Sequence, residues 1–448
     1  MQEKPLDTNF HWHGFTQMAH YDPLVIREAN GVWLTTTDGR RLLDGVASLW
    51  CNVHGHAKTE INDAIREQLD RVSHVTTLGM SCDTTERLAR ELARITPGDL
   101  SHVFFSSDGS SAVEAALKMA FQYWQQSGHH YVEKTKYLAL NLAYHGDTTG
   151  AVSLGGIEYF HRLFSPILFD PIRGPLPCTY RLPEGVCLPK SCDHYASQIE
   201  GLLIRHHHEL AAVVMEPLVQ GAAGMITHPS GFLRRVRELC DRYQVLLICD
   251  EVATGFGRTG TMFACESEDV TPDILCLGKG LTGGYLPMAA TVARPHVYEA
   301  FLAPVEASRQ FFHGHTFAGN PLAAAAALAS LELFQAEQTL NGVVPKSDYL
   351  RQRLRVLEEN PYVGSIRGRG LMIGIEIVQD RQSKITLDSE LLVGRRICEQ
   401  AISQGVWIRP LGDVVVLMPP LSISEAELDM LADAVIASVE NVTGNLKV

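Results

Sequence analysis

A lysine and an aspartate stand at the ends of two apolar runs, and together their side chains could carry out amine chemistry. Lys279 follows the run 274–277 and lies between two glycines, which let a backbone approach a ligand closely. Asp250 ends the run 246–250 and precedes a second carboxylate. A lysine amine forms a Schiff base with a carbonyl, and a carboxylate holds the charge of a protonated pyridine ring. A lone Gly-Lys-Gly turn is more typical of a solvated loop, but this pair indicates a pyridoxal phosphate site.

A predicted helix start could bind the phosphate of such a cofactor. Gly109 and Ser110 follow the strand predicted over 102–106 and open the helix predicted over 110–126. Free N–H groups and the helix dipole attract an anion at this end of a helix. A serine in this position is usually just an N-cap. With Lys279 downstream, phosphate binding becomes the better interpretation.

Two more predicted strands end in side chains that could reach the same place. Tyr144 follows the strand predicted over 137–140, and its ring could stack on a flat cofactor. The alternative is a half-buried tyrosine in a turn. Glu216 ends the strand predicted over 211–216, and it either fixes a loop by hydrogen bonds or points into the pocket. The carboxyl ends of parallel strands meet at one edge of a sheet, which favours a common site.

Two groups outside these strands could hold the anionic ends of ligands. Thr316 lies in a polar stretch before an alanine-rich segment, and its hydroxyl could donate to a phosphate. Arg409 ends a strand predicted over 406–409. An arginine at such a position is usually a surface residue, but its guanidinium is also the natural clamp for a substrate carboxylate.

The elements that must position these residues alternate between strand and helix from about 101 to 334. Apolar runs separated by segments of helical spacing are typical of an α/β fold with a mostly parallel sheet covered on both faces. After about 336 the pattern indicates a smaller α+β domain, with a helix over 349–359 and a final helix from Ser424. We predict three parts: an N-terminal arm with part of the small domain (1–58), a large cofactor-binding domain (59–335) and a C-terminal small domain (336–448).

Composition restricts the class of protein. The 448 residues are 46% hydrophobic and carry a formal net charge of −13, which makes a nucleic-acid partner unexpected. No apolar run is long enough for a membrane span, and the start has no signal-peptide pattern. The ten scattered cysteines are typical of reduced thiols in a cytoplasmic protein, and Cys187, Cys192 and His194 lack a fourth ligand for a metal. The irregular segment 165–195 is expected to wall the site or to take part in assembly.

The sequence resembles the class III aminotransferases of the fold-type I pyridoxal phosphate group over nearly all its length. The stretch 250–260, Asp-Glu-Val-Ala-Thr-Gly-Phe-Gly-Arg-Thr-Gly, followed by Gly-Lys279-Gly, carries this resemblance. Within the class, the sequence is similar to the diaminononanoate synthases of biotin biosynthesis, which aminate 8-amino-7-oxononanoate. The stretches that carry this second resemblance are 15–18, 50–55, 144–148, 219–222, 262–266, 313–316 and 407–412.

The resemblance implies a homodimer with shared active sites and a role for each matching residue. Lys279 would bind the cofactor covalently and shuttle a proton, and Asp250 would pair with the pyridine nitrogen. The phosphate would be bound by Gly109 and Ser110, and by His315 and Thr316, of which Thr316 reaches across from the neighbouring subunit. Residues that would contact substrate are Phe15, Leu49, Trp50, Tyr144, Lys279, Gly314 and Arg409.

Two positions that border the substrate pocket leave the amino donor open. Adenosylmethionine-using members have a tyrosine where this sequence has Phe15, and two tryptophans where it has Leu49 and Trp50. Members similar at these positions include enzymes that use lysine, so the donor is S-adenosyl-L-methionine or L-lysine. The alternative function is a broad ω-amino acid:pyruvate transaminase, which would share every cofactor residue. A decarboxylase or aminomutase would also keep Lys279 and Asp250, whereas a non-catalytic protein need not keep all these residues together.

Overall fold

The computed structural model describes residues 10–446, whose strands form four sheets. The strands are β1 (Ile26–Asn30), β2 (Trp33–Thr36), β3 (Arg41–Asp44), β4 (His102–Ser106), β5 (Lys136–Ala139), β6 (Ile172–Arg173), β7 (Leu210–Met215), β8 (Val219–Gln220), β9 (Ile226–Thr227), β10 (Leu246–Asp250), β11 (Ile274–Leu277), β12 (Ala289–Ala293), β13 (Val363–Arg369), β14 (Met372–Ile377), β15 (Val406–Trp407), β16 (Arg409–Leu411) and β17 (Val414–Leu417).

The helices lie between these strands. They are α1 (Ala47–Trp50), which is a single turn, α2 (Thr59–Arg71), α3 (Asp83–Ile95), α4 (Gly109–Gln126), α5 (Thr149–Leu154), α6 (Glu158–His161), α7 (Leu188–His206), α8 (Phe232–Tyr243), α9 (Pro295–Glu299), α10 (Pro321–Ala336), α11 (Thr339–Leu354), α12 (Val393–Ser403) and α13 (Glu425–Gly444). Within 10–446, no helix has the length and apolar character needed to cross a membrane.

Seven strands form the central sheet in the order β4-β12-β11-β10-β7-β5-β6. β12 is antiparallel to both neighbours, and the other adjacent pairs are parallel. Every residue of β7, β10 and β11 is buried, because helices cover both faces of the sheet. The predicted α/β fold with a mostly parallel sheet is therefore confirmed, and the predicted bounds of these strands differ from the observed ones by at most one residue.

The alanine-rich helix α10 packs tightly among its neighbours. It contacts α2 and α3, and most of its residues are buried. Small side chains permit this close approach. Asn320 caps its first turn by accepting hydrogen bonds from Leu322 N and Ala323 N, and Pro321 occupies the first helical position, where its missing N–H costs nothing.

The N-terminal and C-terminal segments meet in one sheet. Its strand order is β1-β2-β3-β15, and β15 is parallel to β3, with Val406 opposite Leu43. Strands β13, β14, β17 and β16 form a separate antiparallel sheet. One buried apolar cluster extends from Val32 through Leu247 of the central sheet to Val439 of α13, so these sheets share a core. The division into three domains stays a prediction.

Two local predictions need correction, and a third is confirmed. The strand predicted over 406–409 is two strands in different sheets, and the buried Ile408 separates them. The helix predicted over 349–359 is α11, which begins at Thr339 and contains Pro345, a residue that normally indicates a helix boundary. A short 3-10 helix follows it. Ser424 does form the predicted N-terminus, since its hydroxyl and Glu427 make a capping box.

Candidate active site

A cavity of about 180 Å³ lies where the central strands end. The chain reaches it directly after β4, β5, β7, β10 and β11, as expected for the carboxyl edge of a parallel sheet. Glu216, at the end of β7, is among the residues that line it. The predicted site residues that line it are Trp50, Gly109, Ser110, Tyr144, Asp250 and Lys279.

Lys279 follows β11 in a left-handed backbone conformation. Its φ is 42°, which is uncommon for a residue with a side chain and is typical of functional sites. Its Nζ lies 5.0 Å from the centroid of the Trp50 ring. Burial lowers the pKa of this amine, and the nearby carboxylates of Asp250 and Glu216 oppose the change. A lowered pKa increases the neutral fraction, which is the nucleophilic and basic form.

A histidine that sequence reasoning missed holds Asp250. His145 Nδ1 lies 2.7 Å from Asp250 Oδ2, and both side chains are buried. Because the carboxylate only accepts, Nδ1 is the donor of this hydrogen bond. Asp250 Oδ1 accepts a second bond from Val252 N at 3.0 Å. The one available signal for His145 was its place directly after Tyr144.

The start of α4 offers unpaired backbone donors to the cavity. Asp108, not Ser110, is the N-cap, since its carboxylate accepts from Ser111 N at 2.9 Å. Within the described chain, the N–H groups of Gly109 and Ser110 have no hydrogen-bond partner, as is usual in the first turn of a helix. A Cβ on Gly109 would lie 2.5 Å from Val252 Cγ1, so this position requires glycine.

These groups fit pyridoxal phosphate. The free N–H groups of α4 suit its phosphate, the buried carboxylate of Asp250 suits a protonated ring nitrogen, and the amine of Lys279 suits its carbonyl carbon. A Cβ on Gly146 would lie 1.9 Å from Ser110 Oγ, so the loop after β5 also depends on glycine to approach this end of the cavity.

Glu216 has both of the roles that the sequence left open, namely fixing loops by hydrogen bonds and lining the pocket. It lines the cavity, and its two carboxylate oxygens accept from Tyr144 N at 3.3 Å and Gly221 N at 2.8 Å. Burial raises its pKa to about 7; His145 opposes this shift and Asp250 adds to it. Glu216 therefore fixes two loops of the cavity and also titrates near neutral pH.

Aromatic residues connect the cavity to the N-terminal segment. The Tyr144 hydroxyl donates to Asp147 Oδ2 at 2.7 Å, and burial raises its pKa. The Phe160 ring lies 6.4 Å from that of Tyr144 and 5.4 Å from that of Phe15. Phe15 is exposed and lies outside the cavity lining, as does Leu49. Leu49 directly precedes the lining residue Trp50, whereas Phe15 contacts Phe160.

Four predicted residues lie away from the cavity of their own chain. Gly314 and Thr316 are exposed, and His315 packs beside His313 with ring centroids 5.2 Å apart. A Cβ on Gly314 would lie 3.4 Å from Leu78, a residue that is itself exposed. Arg409 is exposed on β16. A single chain therefore does not bring these residues to Lys279.

The turn α1, which carries Leu49 and Trp50, has a backbone that the sequence did not indicate. All four of its residues have positive φ, of 49°, 48°, 76° and 73°. A left-handed helical conformation costs roughly 1–2 kcal/mol for each residue with a side chain. Such strain is typical of sites where the surrounding structure imposes a conformation.

Comparison with known proteins identifies the family. The family model described as aminotransferase class-III matches residues 16–439. The adenosylmethionine-8-amino-7-oxononanoate aminotransferase of Nitratidesulfovibrio vulgaris is 51% identical over 98% of this chain and 82% of the relative. The crystal structure of the enzyme of that name from Methanocaldococcus jannaschii is 41% identical, with a TM-score of 0.91, and the match covers 96% of this chain and 97% of the other.

A third relative carries the cofactor. It is a PLP-bound amine transaminase from an uncultivated Pseudomonas species, 35% identical with a TM-score of 0.93, and the match covers 98% of this chain and 100% of that structure. The coverage of both chains is nearly complete in each structural comparison. The chain therefore belongs to the class-III aminotransferases.

Proposed function

We propose that this enzyme transfers an amino group to 8-amino-7-oxononanoate, giving 7,8-diaminononanoate for biotin biosynthesis. Relatives that are 41–51% identical over nearly the whole chain bear the name of that activity. One structural observation carries the chemistry: Lys279, the His145–Asp250 pair and the unpaired N-terminus of α4 line one cavity.

Pyridoxal phosphate is the cofactor, as the sequence predicted. It supplies an electrophilic carbonyl and an electron-withdrawing pyridinium ring. In our proposal, the N–H groups of Gly109 and Ser110 hold its phosphate and Asp250 holds the charge on its ring nitrogen. His145 orients the Asp250 carboxylate through the 2.7 Å hydrogen bond.

Lys279 is proposed to move the proton of the reaction. With the cofactor bound, the neutral Lys279 amine would take the proton from the carbon that carries the donor nitrogen and would return it to complete the amino transfer. Burial favours the neutral amine that this step requires. Trp50 and Tyr144 line the cavity together with the lysine.

Arg409 is proposed to bind the substrate carboxylate. Its guanidinium is exposed at the start of β16, and a bidentate pair with a carboxylate is the strongest contact that it can offer. The side chain would have to turn toward the cavity when the substrate enters. Gly314 is proposed to contact the substrate from the neighbouring subunit.

The amino donor is proposed to be S-adenosyl-L-methionine, with L-lysine as the second candidate. A sulfonium cation gains from aromatic faces, and Trp50 retains one such wall of the cavity. Phe15 lacks the hydroxyl of a tyrosine, and Leu49 removes a second aromatic wall. The loss of this tryptophan wall should weaken the hold on the sulfonium cation by about 1–2 kcal/mol at most.

A homodimer with shared sites is proposed from the position of the segment 313–316. Thr316 is exposed in its own chain, and it is not among the residues that line the described cavity. Exposed apolar side chains flank this region, namely Leu78, Phe312 and Phe317. Such a surface is typical of an interface, and a second subunit would bring Thr316 to its phosphate. We also propose a cytoplasmic location, which is expected from the cysteine usage.

A donor screen tests the proposed function. The purified holoenzyme is incubated with 8-amino-7-oxononanoate and either adenosylmethionine or lysine, and diaminononanoate is detected by mass spectrometry. Product with either donor supports the acceptor, and the ratio of kcat/KM values assigns the donor. Turnover with pyruvate and an ω-amino acid, without any diaminononanoate, would replace the proposal with the broad ω-transaminase.

A further inference from the structure

The left-handed turn α1 does not determine its own conformation. Positive φ values occur at all four residues of the turn, Ala47, Ser48, Leu49 and Trp50. Residues with side chains rarely adopt such values in succession. The main-chain bonds of the turn, from Trp50 N to Val46 O and from Cys51 N to Ala47 O, do not by themselves favour this hand. The surrounding structure must therefore impose it.

A fully buried carboxylate, Asp44, supplies this constraint. Its Oδ1 accepts from Val46 N at 3.3 Å and from Ser48 N at 3.0 Å. Its Oδ2 accepts from Ser48 Oγ at 2.8 Å and lies 3.1 Å from His56 Nε2. Because Ser48 belongs to the turn and donates twice to one buried carboxylate, its left-handed backbone is fixed by hydrogen bonds.

The carboxylate is in turn tied to a rigid frame outside the cavity. Asp44 ends β3, where its N–H donates to Val32 O at 2.8 Å and it lies opposite Trp407 of β15. His56 is anchored by two main-chain bonds with Gly31, of 2.7 and 3.0 Å. Asp44 therefore belongs to the sheet β1-β2-β3-β15, and its partner His56 is hydrogen-bonded to the connection between β1 and β2.

The turn presents an aromatic ring to the amine of the active site. The Trp50 ring centroid is 5.0 Å from Lys279 Nζ. On another side, Trp50 Cζ3 lies 3.3 Å from the place where a Cβ on Gly221 would be. The ring therefore lies between a loop of the cavity and Lys279. A small movement of the turn would change the distance between the ring and the amine.

We propose that Asp44 is a positioning residue, which holds the strained turn α1 through Ser48 and thereby sets the Trp50 ring against the Lys279 amine. Within residues 10–446, the Asp44 carboxylate makes no hydrogen bond to a residue that lines the cavity, so we expect it to act through the turn and Trp50. This inference depends on the cofactor and on Lys279, but it does not depend on the identity of the acceptor.

The test is a double-mutant cycle read without substrate. The pH midpoint of the visible absorbance of the holoenzyme reports on the nitrogen of Lys279. We expect Asp44→Asn to lower this midpoint by about 0.5–1 pH unit, because a displaced Trp50 ring no longer stabilises the protonated nitrogen of Lys279. In a Trp50→Ala background the same substitution should produce no further shift. Asp38→Asn, on an exposed turn of the same sheet, is the matched control and should leave the midpoint unchanged.

Two further variants keep the test decisive if Asp44→Asn does not fold. Ser48→Ala removes the 2.8 Å hydroxyl bond alone and should shift the midpoint in the same direction by a smaller amount. Ser48→Gly, combined with Asp44→Asn, should restore the midpoint because glycine adopts positive φ without help. An unshifted midpoint in Ser48→Ala would overturn the proposal, as would an unshifted midpoint in a folded Asp44→Asn variant. An equal shift with and without Trp50 would also overturn it, because Asp44 would then act by another route.

Discussion

At the scale of single residues, burial and nearby charges have opposite effects on the pKa of one amine in the site. Burial lowers the pKa of Lys279, and the carboxylates of Asp250 and Glu216 raise it. Desolvation is the largest of these effects, so the neutral amine is favoured relative to a lysine in water. Asp250 is in turn held in place by its hydrogen bond with His145.

Removing the amine should abolish turnover without unfolding the protein. We expect Lys279→Ala to retain the thermal unfolding transition and to lose the visible absorbance of covalently bound cofactor, together with all measurable transamination. The exposed Lys190 on α7 provides the control, since Lys190→Ala should behave as wild type. Turnover by Lys279→Ala near the wild-type rate would remove the lysine from the mechanism.

Glu216 should make stability depend on pH near neutrality. Its pKa is about 7 in the folded protein and 4.5 in the reference state, so its stabilising contribution is present below 4.5 and is lost as the pH rises through 7. The lost contribution is of the order of 3 kcal/mol. Glu216→Gln, which mimics the neutral form, should therefore flatten the fall in melting temperature between pH 5 and 8.

The matched control for this titration is Glu332→Gln, on the exposed face of α10. It should keep the wild-type pH dependence. If Glu216→Gln and wild type lose the same stability between pH 5 and 8, another group is responsible for the change.

At the scale of elements, the position of α4 depends on close contact between backbone and side chain. Gly109 lies against Val252 beside β10 and lines the cavity, and its N–H has no hydrogen-bond partner within residues 10–446. The capping carboxylate of Asp108 satisfies Ser111 N and leaves the first N–H groups of the helix available. The anion site thus depends on a helix that cannot move outward from the sheet edge without losing its contacts.

A side chain at position 109 should weaken cofactor binding. The Cβ of Gly109→Ala would lie 2.5 Å from Val252 Cγ1, and relief of this overlap must displace α4 or Val252. Overpacking of this kind costs about 1–3 kcal/mol, so we expect the Kd for pyridoxal phosphate to rise about tenfold or more. Fluorescence titration of the apoenzyme measures it. Gly342→Ala, in α11 with its nearest neighbour at 3.6 Å, should leave the Kd unchanged and slightly raise the melting temperature.

At the scale of the whole molecule, one chain provides an incomplete set of the predicted groups. Lys279, Asp250 and Gly109 share a cavity, whereas Thr316 is exposed elsewhere on the surface. The exposed apolar residues next to Thr316 would be costly in a monomer. A dimer that shares its sites accounts for both observations.

Mixing two inactive variants should restore activity if the sites are shared. Lys279→Ala lacks the amine, and Thr316→Glu places a negative charge at the proposed phosphate contact. A mixed dimer would contain one site with an intact Lys279 from one subunit and an intact Thr316 from the other. Random reassociation should therefore recover about a quarter of the wild-type activity. If both residues served the same chain, mixing would recover none, which is the result that excludes sharing across the dimer.

Local sequence was sufficient for the groups that follow strands. Lys279, Asp250, Tyr144 and Gly109 each come directly after a short apolar run, and the alternation of strands and helices predicts a parallel sheet. The carboxyl ends of parallel strands share one edge, so the predicted order of elements alone brings these residues together. The pair of Lys279 and Asp250 indicated the cofactor, and the resemblance to a family then implied a role for each residue.

Only the tertiary structure decided the contacts between residues far apart in the chain. His145 and Asp250 are separated by 105 positions, and no periodicity links them. The sequence of α1 looks like an ordinary apolar segment. Its left-handed backbone has no local signal, because it depends on the burial of Asp44. Trp407 and Arg409 look like one strand, yet β3 and β17 draw them into different sheets. Periodicity reports which local structure a segment favours, whereas partners across the fold are chosen by packing and by the need to pair buried polar groups.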